Sequence, residues 1–509
     1  MNTPLVSVIV PAWNAAATLE DTLRSALSSD YPALEVLVVD DGSTDATLDI
    51  ARRLAAGDER LRVFTEANGG VCRARNLAIS QARGVYIMPL DADDRIGPHF
   101  IAEAVRRFEE DTTGLLKAVF PKIMYFGDRS GEAHLPSFRL SLLARKNILP
   151  ITALYRRADA LRQGGYCEEI IAREDWAFWI ALFKDGGTLK RLEEQSWMYR
   201  VSADAKHVRD RQLKRHVVNV LNILHADLFE RELGGPLRYH RTASRLLNRL
   251  NVGKAKTVVN EAYPAMKAFA ASLPWRFALD SEKAPSLTGR VMYKKRNEIR
   301  LFDTEEGPVV VKSFQIPHIA NKFAYGFFRR SKARRSFEYA AMLNASGFCS
   351  PEPLAYVERR WLGWFSDSYY VCRQSRCRFA YADLIGGQTA RTGEVMQAIG
   401  TLTARLHEAG MIHRDYARGN LLFDFFDPGA DRPSDNGAEV RVELIDLNRI
   451  RFHRVGLEEG CANFDRLPGT PEMAAVAAEA YCRRRGYEGE DKEKAVRLIA
   501  QAMAAASKK

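Results

Sequence analysis

The stretch VLVVDDGSTD, residues 36–45, decides the fold of the first half of the chain. Four consecutive apolar residues run directly into two aspartates and a glycine. This pattern is typical of a buried parallel strand whose carboxyl end opens into a polar turn. The same pattern recurs in VSVIVPAWN (6–14) and in GVYIMPLDADD (84–94), with helical segments between the strands. Such alternation predicts an α/β fold with a parallel sheet that is covered by helices on its faces.

Acidic side chains follow the predicted strands at the edge where sheets of this type bind ligands. Asp40 and Asp41 end one strand, and Asp91 and Asp93 follow another. A nucleotide-sugar donor carries a diphosphate that leaves with its negative charge, and a divalent metal ion held by a carboxylate offsets that charge. A single Asp-Asp-Gly is equally well read as an ordinary turn. Three such features in order favour a donor site.

Five motifs in the first 200 residues resemble those of one enzyme family. They are VSVIVPAWN, VVDDGSTD, NGGVCRARN, LDADD and REDW, in this order. Together they resemble family 2 glycosyltransferases of the GT-A fold, a Rossmann-like nucleotide-diphospho-sugar transferase fold. The resemblance implies a domain over residues 1–203, a nucleotide-diphospho-sugar donor with UDP-sugar favoured, and Mg2+ or Mn2+ as cofactor.

The same resemblance assigns roles to individual residues. Those assigned to nucleotide-sugar binding are Pro11, Asn14, Asp41, Arg75 and Asp91. Asp93 is assigned to the metal, and Asp175 of REDW to the general base that deprotonates the acceptor hydroxyl, which implies inversion at the anomeric carbon. Asp175 could instead complement the dipole of the apolar helix that follows it. A His that many relatives carry after a Tyr-Arg pair is replaced here by Ser202, with His207 as a shifted substitute.

Residues 204–280 have helical spacing and predict a helical connector between two domains. Apolar residues of 213–228 recur at i, i+4, i+7, i+8, i+11 and i+15, which places them on one helix face. A Gly-Gly-Pro turn at 234–236 separates this helix from a second. A third helix is predicted through KAKTVVNEAYPAMKAFAA (254–271).

The remainder of the chain, residues 281–509, carries the parts of a phosphotransferase. RNEIRLFDTEEGPVVVKSF (296–314) predicts two strands around a tight turn. Phosphoryl transfer needs a Lys at the donor phosphates, a carboxylate that orients this Lys, a base, and two groups that hold Mg2+. The chain offers, in this order, Lys312, Glu338, Asp415, Asn420 and Asp446.

Four stretches resemble the protein-kinase-like lipopolysaccharide core kinases that phosphorylate Kdo or heptose: VVVKSF (309–314), RRSKARRSFEYAAMLNASGFCSPEPLAYVE (329–358), HRDYARGN (413–420) and LIDLNR (444–449). The resemblance implies an α+β bilobal domain over 281–509, ATP with Mg2+, and a membrane-associated sugar hydroxyl as acceptor. Lys312 and Glu338 then bind ATP, Asp415 is the base, and Asn420 and Asp446 bind Mg2+. His413 is expected to be structural. The kinase Gly-rich loop is missing before Lys312, where only Gly307 lies in the turn.

Charge and composition limit the partners. The net charge is +11, and residues 321–339 hold six Lys or Arg against one Glu. This segment is either a solvated basic helix face or a contact for anionic lipid or phosphorylated glycan. Nucleic acid is not expected because no recognition motif accompanies the segment. The absence of a signal peptide and of a long apolar run predicts a cytoplasmic protein, with peripheral contact to the inner face of the membrane through 321–339.

Three hypotheses follow for the whole chain. The first is a bifunctional enzyme of lipopolysaccharide or other cell-surface glycan synthesis, which extends a lipid-linked saccharide and phosphorylates a sugar of the same molecule. The second keeps the glycosyltransferase but makes the kinase-like half a nucleotide-, glycan- or membrane-binding module. The third makes that half a small-molecule phosphotransferase of the antibiotic type, which leaves the attached transferase unexplained.

Overall fold

The computed structural model describes residues 3–201, 211–253, 255–295, 297–314, 329–361, 364–385, 387 and 391–508. The chain forms two compact units, one from residues 1–251 with 278–287 and the other from 252–277 with 288–509. None of the helices within the described ranges is long and apolar enough to cross a membrane. All seven cysteines are free.

Among the described residues of the first unit, nine strands form one sheet. They are β1 Val6–Ala12, β2 Leu34–Asp40, β3 Leu61–Thr65, β4 Tyr86–Pro89, β5 Arg95–Ile96, β6 Leu116–Gly127, β7 Gly131–Glu132, β8 Leu154–Arg156 and β9 Thr188–Val201. The order is β3-β2-β1-β4-β8-β6-β9-β5, and β7 pairs with β6. Strands β3, β2, β1 and β4 are mutually parallel, whereas β8 runs antiparallel to both β4 and β6. The predicted parallel α/β sheet is therefore confirmed for β1–β4.

The helices of the first unit are α1 Leu19–Leu27, α2 Thr47–Ala55, α3 Val71–Gln81, α4 Phe100–Glu109, α5 Leu140–Leu143, α6 Arg157–Arg162, α7 Glu174–Phe183, α8 Arg211–Leu224, α9 Ala226–Leu233 and α10 Ser244–Arg249. Every residue of β1 and β2 is buried. Successive strand residues point to opposite faces, so both faces of this part of the sheet are covered. Helix α7 buries seven of its ten residues, and its two acidic residues stand at its first turn.

The predicted third connector helix is wrong in its first part. Residues Ala255–Val259 form strand β10, which pairs antiparallel with β14 of the second unit. The β-branched run Thr257–Val259 favours a strand. Pro264 then separates this strand from helix α11, Met266–Arg276.

The described part of the second unit contains a six-stranded antiparallel sheet of order β10-β14-β15-β13-β12-β11. Its further strands are β11 Arg290–Lys294, β12 Glu298–Thr304, β13 Gly307–Phe314, β14 Pro353–Trp361 and β15 Trp364–Arg373. The predicted hairpin around the 304–307 turn is confirmed, with Gly307 at φ +92°. The helix in this region is α13 Lys332–Ala345 (the short helix α12, Pro285–Thr288, belongs to the first unit except for its last residue).

The rest of the second unit is mainly helical and has its own apolar core. Its helices are α14 Tyr381–Ile385, α15 Thr392–Glu408, α16 Leu457–Ala462, α17 Pro471–Arg485 and α18 Gly489–Ser507. Its strands are β16 Phe379–Ala380, β17 Met411–His413, β18 Leu421–Phe426, β19 Glu439–Leu444 and β20 Ile450–Phe452. The loop 413–420 thus lies between β17 and β18.

Candidate functional site

The carboxyl ends of β1 and β2 form one hydrogen-bonded rim. Asn14 adopts a left-handed backbone with φ 49°. Its side-chain Oδ1 accepts a hydrogen bond from the backbone N–H of Thr44 at 2.8 Å, and its backbone N–H donates to Ser43 Oγ at 3.0 Å. Pro11, near the end of β1, is paired with Val39 of β2. The predicted nucleotide-binding residues Pro11 and Asn14 therefore lie at one edge of the sheet.

Two aspartates follow β2 with different surroundings. The Asp41 carboxylate accepts hydrogen bonds from the backbone N–H groups of Gly69 at 2.7 Å and Gly70 at 2.8 Å, which fixes it against the start of α3. Asp40 is also buried, and within the described chain its Oδ1 has no hydrogen-bond partner. A buried carboxylate oxygen without a partner is costly, so a ligand donor at this point would be favourable. The sequence placed both aspartates at this edge and assigned only Asp41 to the nucleotide, whereas the unpartnered oxygen of Asp40 is seen only in the structure.

Arg75 links the predicted donor edge to the predicted base. Its side chain is only 2% exposed, and its Nη2 lies 2.7 Å from Asp91 Oδ1 while its Nη1 lies 2.7 Å from Glu174 Oε1. Burial disfavours its charge, yet Asp91 and Glu174 together raise the pKa of Arg75 well above its ordinary value. The guanidinium therefore stays charged and joins the end of β4 to the start of α7.

Replacement of Arg75 by Met is expected to lower the free energy of unfolding of the first unit by about 3 kcal/mol, because both carboxylates lose their partner in partly buried surroundings. The value falls at the low end for buried pairs since the Asp91 side chain is 30% exposed. Urea unfolding of the full chain, followed by tryptophan fluorescence, measures the loss. Arg83→Met, at an exposed position before β4, is the control and should change stability by less than about 0.5 kcal/mol. An equal effect of the two substitutions would contradict the structural role of Arg75.

Three aspartates after β4 concentrate negative charge. Burial, and then the charge of Asp91, raise the pKa of Asp93. The same two causes raise the pKa of the fully buried Asp94 to about 9. Asp94 accepts hydrogen bonds from Trp197 Nε1 at 3.0 Å and from the backbone N–H of Arg200 at 2.8 Å. A divalent cation would favour the ionised form of Asp93, so this carboxyl is suited to be one ligand of a metal ion.

Few protein ligands are available for such a metal. The described residues contain no group of three or more His, Cys, Asp and Glu side chains placed to hold one. Mg2+ in proteins is commonly held by one or two carboxylates together with substrate phosphates. Asp93 can therefore serve as a metal ligand only in company with the donor diphosphate. Ser202 and His207 lie outside the described residues.

The predicted base, Asp175, stands in the first turn of α7. Its Oδ2 accepts a hydrogen bond from Asn147 Nδ2 at 2.7 Å, and its Oδ1 accepts one from the backbone N–H of Trp176 at 2.8 Å. Burial, and then the neighbouring charge of Glu174, raise the pKa of Asp175 to about 7. A carboxylate of this pKa is suited to accept a proton near neutral pH. Sequence motifs gave no sign of Asn147.

Comparison with known proteins bears on this first unit. The model of glycosyl transferase family 2 matches residues 7–163. The putative teichuronic acid biosynthesis glycosyltransferase TuaG of Bacillus subtilis is 33% identical over 201 residues, which are 39% of this chain and 79% of that protein. The chain belongs to glycosyl transferase family 2. The first unit, which contains the matched residues and their α/β sheet, is called the family 2 domain below.

Other relatives of the family 2 domain are more distant or much longer. Chondroitin synthase of Pasteurella multocida is 39% identical over 110 residues, which are 22% of this chain and 11% of that protein. Among solved structures, S. aureus TarS has a TM-score of 0.39 and 20% identity, covering 61% of this chain and 64% of that one. The mannosyltransferase PcManGT from Pyrobaculum calidifontis, solved with GDP-Man and Mn2+, has a TM-score of 0.35 and 22% identity, covering 56% and 79%.

The structure brings near one another four of the five residues of the second unit that the sequence predicts for phosphoryl transfer. Lys312 Nζ, on β13, lies 2.7 Å from Asp446 Oδ1. The next link is the backbone N–H of Ile445, which donates to the carbonyl of Asn420 at 3.0 Å. Asn420 Nδ2 in turn donates to the carbonyl of Asp415 at 2.8 Å. Lys312 and Asp446 are thus paired directly, Asn420 and Asp415 are joined by a hydrogen bond, and the backbone of Ile445 connects the two pairs.

Glu338, expected beside Lys312, is engaged elsewhere. It forms ion pairs with Arg334 at 2.7 Å and with Arg330 at 2.8 Å. Arg334 is four residues before Glu338 on α13 and so lies on the same helix face. The predicted pairing of Glu338 with Lys312 is therefore replaced by local pairs, and Asp446 takes the position opposite the Lys312 ammonium.

The loop around Asp415 is held by buried and charged neighbours. The buried His413 lies with Nε2 3.2 Å from the carbonyl of Ile445, and its Nδ1 accepts from the backbone N–H of Asp415 at 3.2 Å. Arg466 and Arg449 lie 2.5 Å and 3.5 Å from the two oxygens of the Asp415 carboxylate. His413 thus orients the loop, as expected. Of the basic segment 321–339, residues 321–328 lie outside the described chain.

Proposed function

We propose that the family 2 domain transfers a sugar, with inversion, from a UDP-sugar to a lipid-linked saccharide of the cell surface. The observation that carries this proposal is the link from Asp91 through Arg75 to Glu174 and the adjacent Asp175. It joins the strand end where a donor diphosphate is expected to Glu174. The residue next to Glu174 is Asp175, whose pKa is about 7. TuaG is known as a putative teichuronic acid biosynthesis glycosyltransferase, which agrees with a cell-surface glycan as product here.

Each residue of the candidate site then has a defined role in the reaction. Asp41 and the rim at Asn14 hold the nucleotide, and Arg75 with Asp91 borders the diphosphate. A Mg2+ or Mn2+ ion at Asp93 would supply Lewis-acid stabilisation of the leaving charge. Asp175 takes the proton of the acceptor hydroxyl. At the same time the hydroxyl oxygen bonds to the anomeric carbon of the donor sugar, on the face opposite the departing UDP. This geometry inverts the anomeric configuration, which NMR of the product tests.

Removal of divalent metal is expected to abolish sugar transfer, and Mn2+ or Mg2+ should restore it. The reason is that the diphosphate then leaves without charge compensation beside Asp91 and Asp93. Electron paramagnetic resonance measures the binding of Mn2+ with and without UDP, and this measurement does not depend on the transfer assay. Asp93→Asn should weaken Mn2+ binding in the presence of UDP by about tenfold or more. Full transfer in excess EDTA would contradict the metal role.

For the second unit we propose ATP-dependent phosphorylation of a sugar hydroxyl. Support comes from the contact set of Lys312, Asp446, Asn420 and Asp415, which supplies a phosphate-binding cation, two Mg2+ ligands and a base. The acceptor proposed is a core sugar of the saccharide that the family 2 domain extends. Incubation with ATP and dephosphorylated core glycolipid, followed by mass spectrometry, tests it.

A second candidate is that this unit binds nucleotide or glycan without transferring phosphate. Two features favour it. The turn before Lys312 has a single glycine, Gly307, so backbone cover for ATP phosphates is short. Lys312 and Asp415 are both engaged in ion pairs, with Asp446 and Arg466, that a nucleotide and an acceptor have to replace.

A further inference from the structure

A small pocket of the family 2 domain lies next to the candidate base. Its volume is ≈ 270 Å³, and it is lined by the residues around the start of α7, by α8 and by the turn at 239–241. The polar and aromatic side chains that line it are Arg173, Trp176, Lys214, Tyr239, His240 and Arg241. Arg173 and Trp176 stand two residues before and one residue after Asp175.

The pocket concentrates positive charge without a neutralising group. Its basic side chains are Arg173, Lys214 and Arg241, and its lining includes no Asp or Glu. None of the three cations forms an ion pair within the described ranges, whereas Arg24 and Arg53 of the same domain pair with Glu20. Burial, and then the charge of Arg173, lower the pKa of Arg241. Arg173 and Lys214 are exposed and Arg241 is partly buried, and like charges that line one pocket favour the entry of an anion.

Local geometry places two of these cations at the start of α7, Arg173 by its position in the chain and Arg241 by its contact with Trp176. Arg173 has a left-handed backbone, φ 57° and ψ 38°, which costs a residue other than glycine about 1–2 kcal/mol. Strain of this kind is often retained where it places a functional side chain. The guanidinium carbon of Arg241 lies 5.4 Å from the ring centre of Trp176, the residue that follows Asp175. The strained turn and this stacking hold the cations at the start of α7.

We propose that this pocket binds a phosphate or carboxylate group on the acceptor saccharide, and that it thereby selects anionic acceptors. Arginine guanidinium groups match the oxygens of both anions, and the position beside Asp175 is where the acceptor hydroxyl has to lie. The donor rim at β1, β2 and β4 is formed by other residues. The inference rests on sugar transfer by this domain, and it adds the chemical class of the acceptor.

The first test measures binding of inorganic phosphate to the full-length protein by isothermal titration calorimetry. The test variant is Arg173→Asn with Lys214→Gln, because Asn tolerates the left-handed backbone and Lys214 is exposed. Phosphate affinity is expected to fall about tenfold or more for each cation removed. Arg83→Gln, before β4, is the matched control and should bind phosphate like the wild type. Equal phosphate affinity of all three proteins would overturn the proposal, whatever the transfer assay gives.

The second test compares three acceptors in the transfer assay: a neutral synthetic saccharide, its phosphate monoester and the matching uronic acid. The KM for an anionic acceptor is expected to be about tenfold or more below that for the neutral one. The double variant should remove this difference while the KM for the donor is kept. Preference for the monoester or for the uronic acid identifies the anion. An unchanged preference for the anionic acceptor in the double variant would overturn the proposal. Transfer to none of the three acceptors would contradict the proposed function, and the phosphate titration would then decide whether the pocket binds an anion.

Discussion

Replacement of Asp175 by Asn is expected to lower kcat for sugar transfer by about 10²–10⁴-fold, because an amide has the shape of the carboxylate but cannot accept the proton. The KM for the nucleotide sugar should change little, since Asp41, Arg75 and Asp93 remain. UDP release with a saturating acceptor measures the loss. Thermal unfolding of the variant shows whether the fold is kept. Full transfer by Asp175→Asn would exclude this residue as the base.

The same assignment fixes a pH dependence. The base works only when ionised, so kcat/KM should be maintained at alkaline pH and should fall as the pH decreases through about 7, the pKa of Asp175. Glu174 raises this pKa, whereas the hydrogen bond from Asn147 and the charge of Arg75 lower it. Asn147→Ala removes a hydrogen bond to the ionised form of Asp175 and so raises its pKa. The fall of kcat/KM on acidification should therefore begin at a higher pH, and activity should be recovered above that pH. If kcat/KM of this variant falls at the same pH as that of the wild type, a group other than Asp175 causes the fall.

Replacement of Asp415 by Ala is expected to reduce phosphate transfer from ATP by about 10²–10⁴-fold, because the acceptor hydroxyl loses its base. Radiolabelled ATP with dephosphorylated core glycolipid measures the transfer. Asp427→Ala, at an exposed position of the 427–437 connection between β18 and β19, is the matched control and should behave as wild type. Equal transfer by Asp415→Ala and the wild-type protein would contradict the kinase proposal.

A binding module gives a different pattern with the same proteins. ATP with Mg2+ should then raise the melting temperature of the wild type, and phosphate transfer should be absent from every protein. Lys312→Met is expected to abolish the increase in melting temperature under either proposal, because Lys312 holds the donor phosphates. Transfer by wild type and its loss in Asp415→Ala together identify the kinase.

Local sequence pattern was sufficient for the parallel strands and for the carboxylates that follow them. Apolar runs that end in Asp or Gly indicate both the strand and its carboxyl end, so β1, β2 and β4 could be predicted. Contacts between distant residues could not be predicted in this way. Asn147 lies 28 positions from Asp175, and Arg75 lies 99 positions from Glu174. No period or motif connects residues at such separations.

The incorrect predictions have equally physical causes. The sequence pattern around Ala255–Val259 predicts a helix. The segment forms a strand instead because it pairs with β14, about a hundred residues later in the chain. Glu338 was assigned to Lys312 from its order in the chain. The arginines near it, Arg330 and Arg334, take both carboxylate oxygens instead. Tertiary pairing and short-range charge thus outweighed the local pattern and the motif order.

The clamp that Arg75 makes between Asp91 and Glu174 has a thermodynamic consequence for the reaction cycle. Arg75 pairs with Asp91 at the predicted donor edge and with Glu174 beside Asp175, and Glu174 raises the pKa of Asp175 whereas the charge of Arg75 lowers it. Donor binding and proton binding are therefore linked, and linkage is reciprocal. The pKa seen in kcat, for the loaded enzyme, should differ from that seen in kcat/KM, for the free enzyme. Each unit of difference corresponds to about 1.4 kcal/mol of coupling, so donor affinity itself becomes a function of pH.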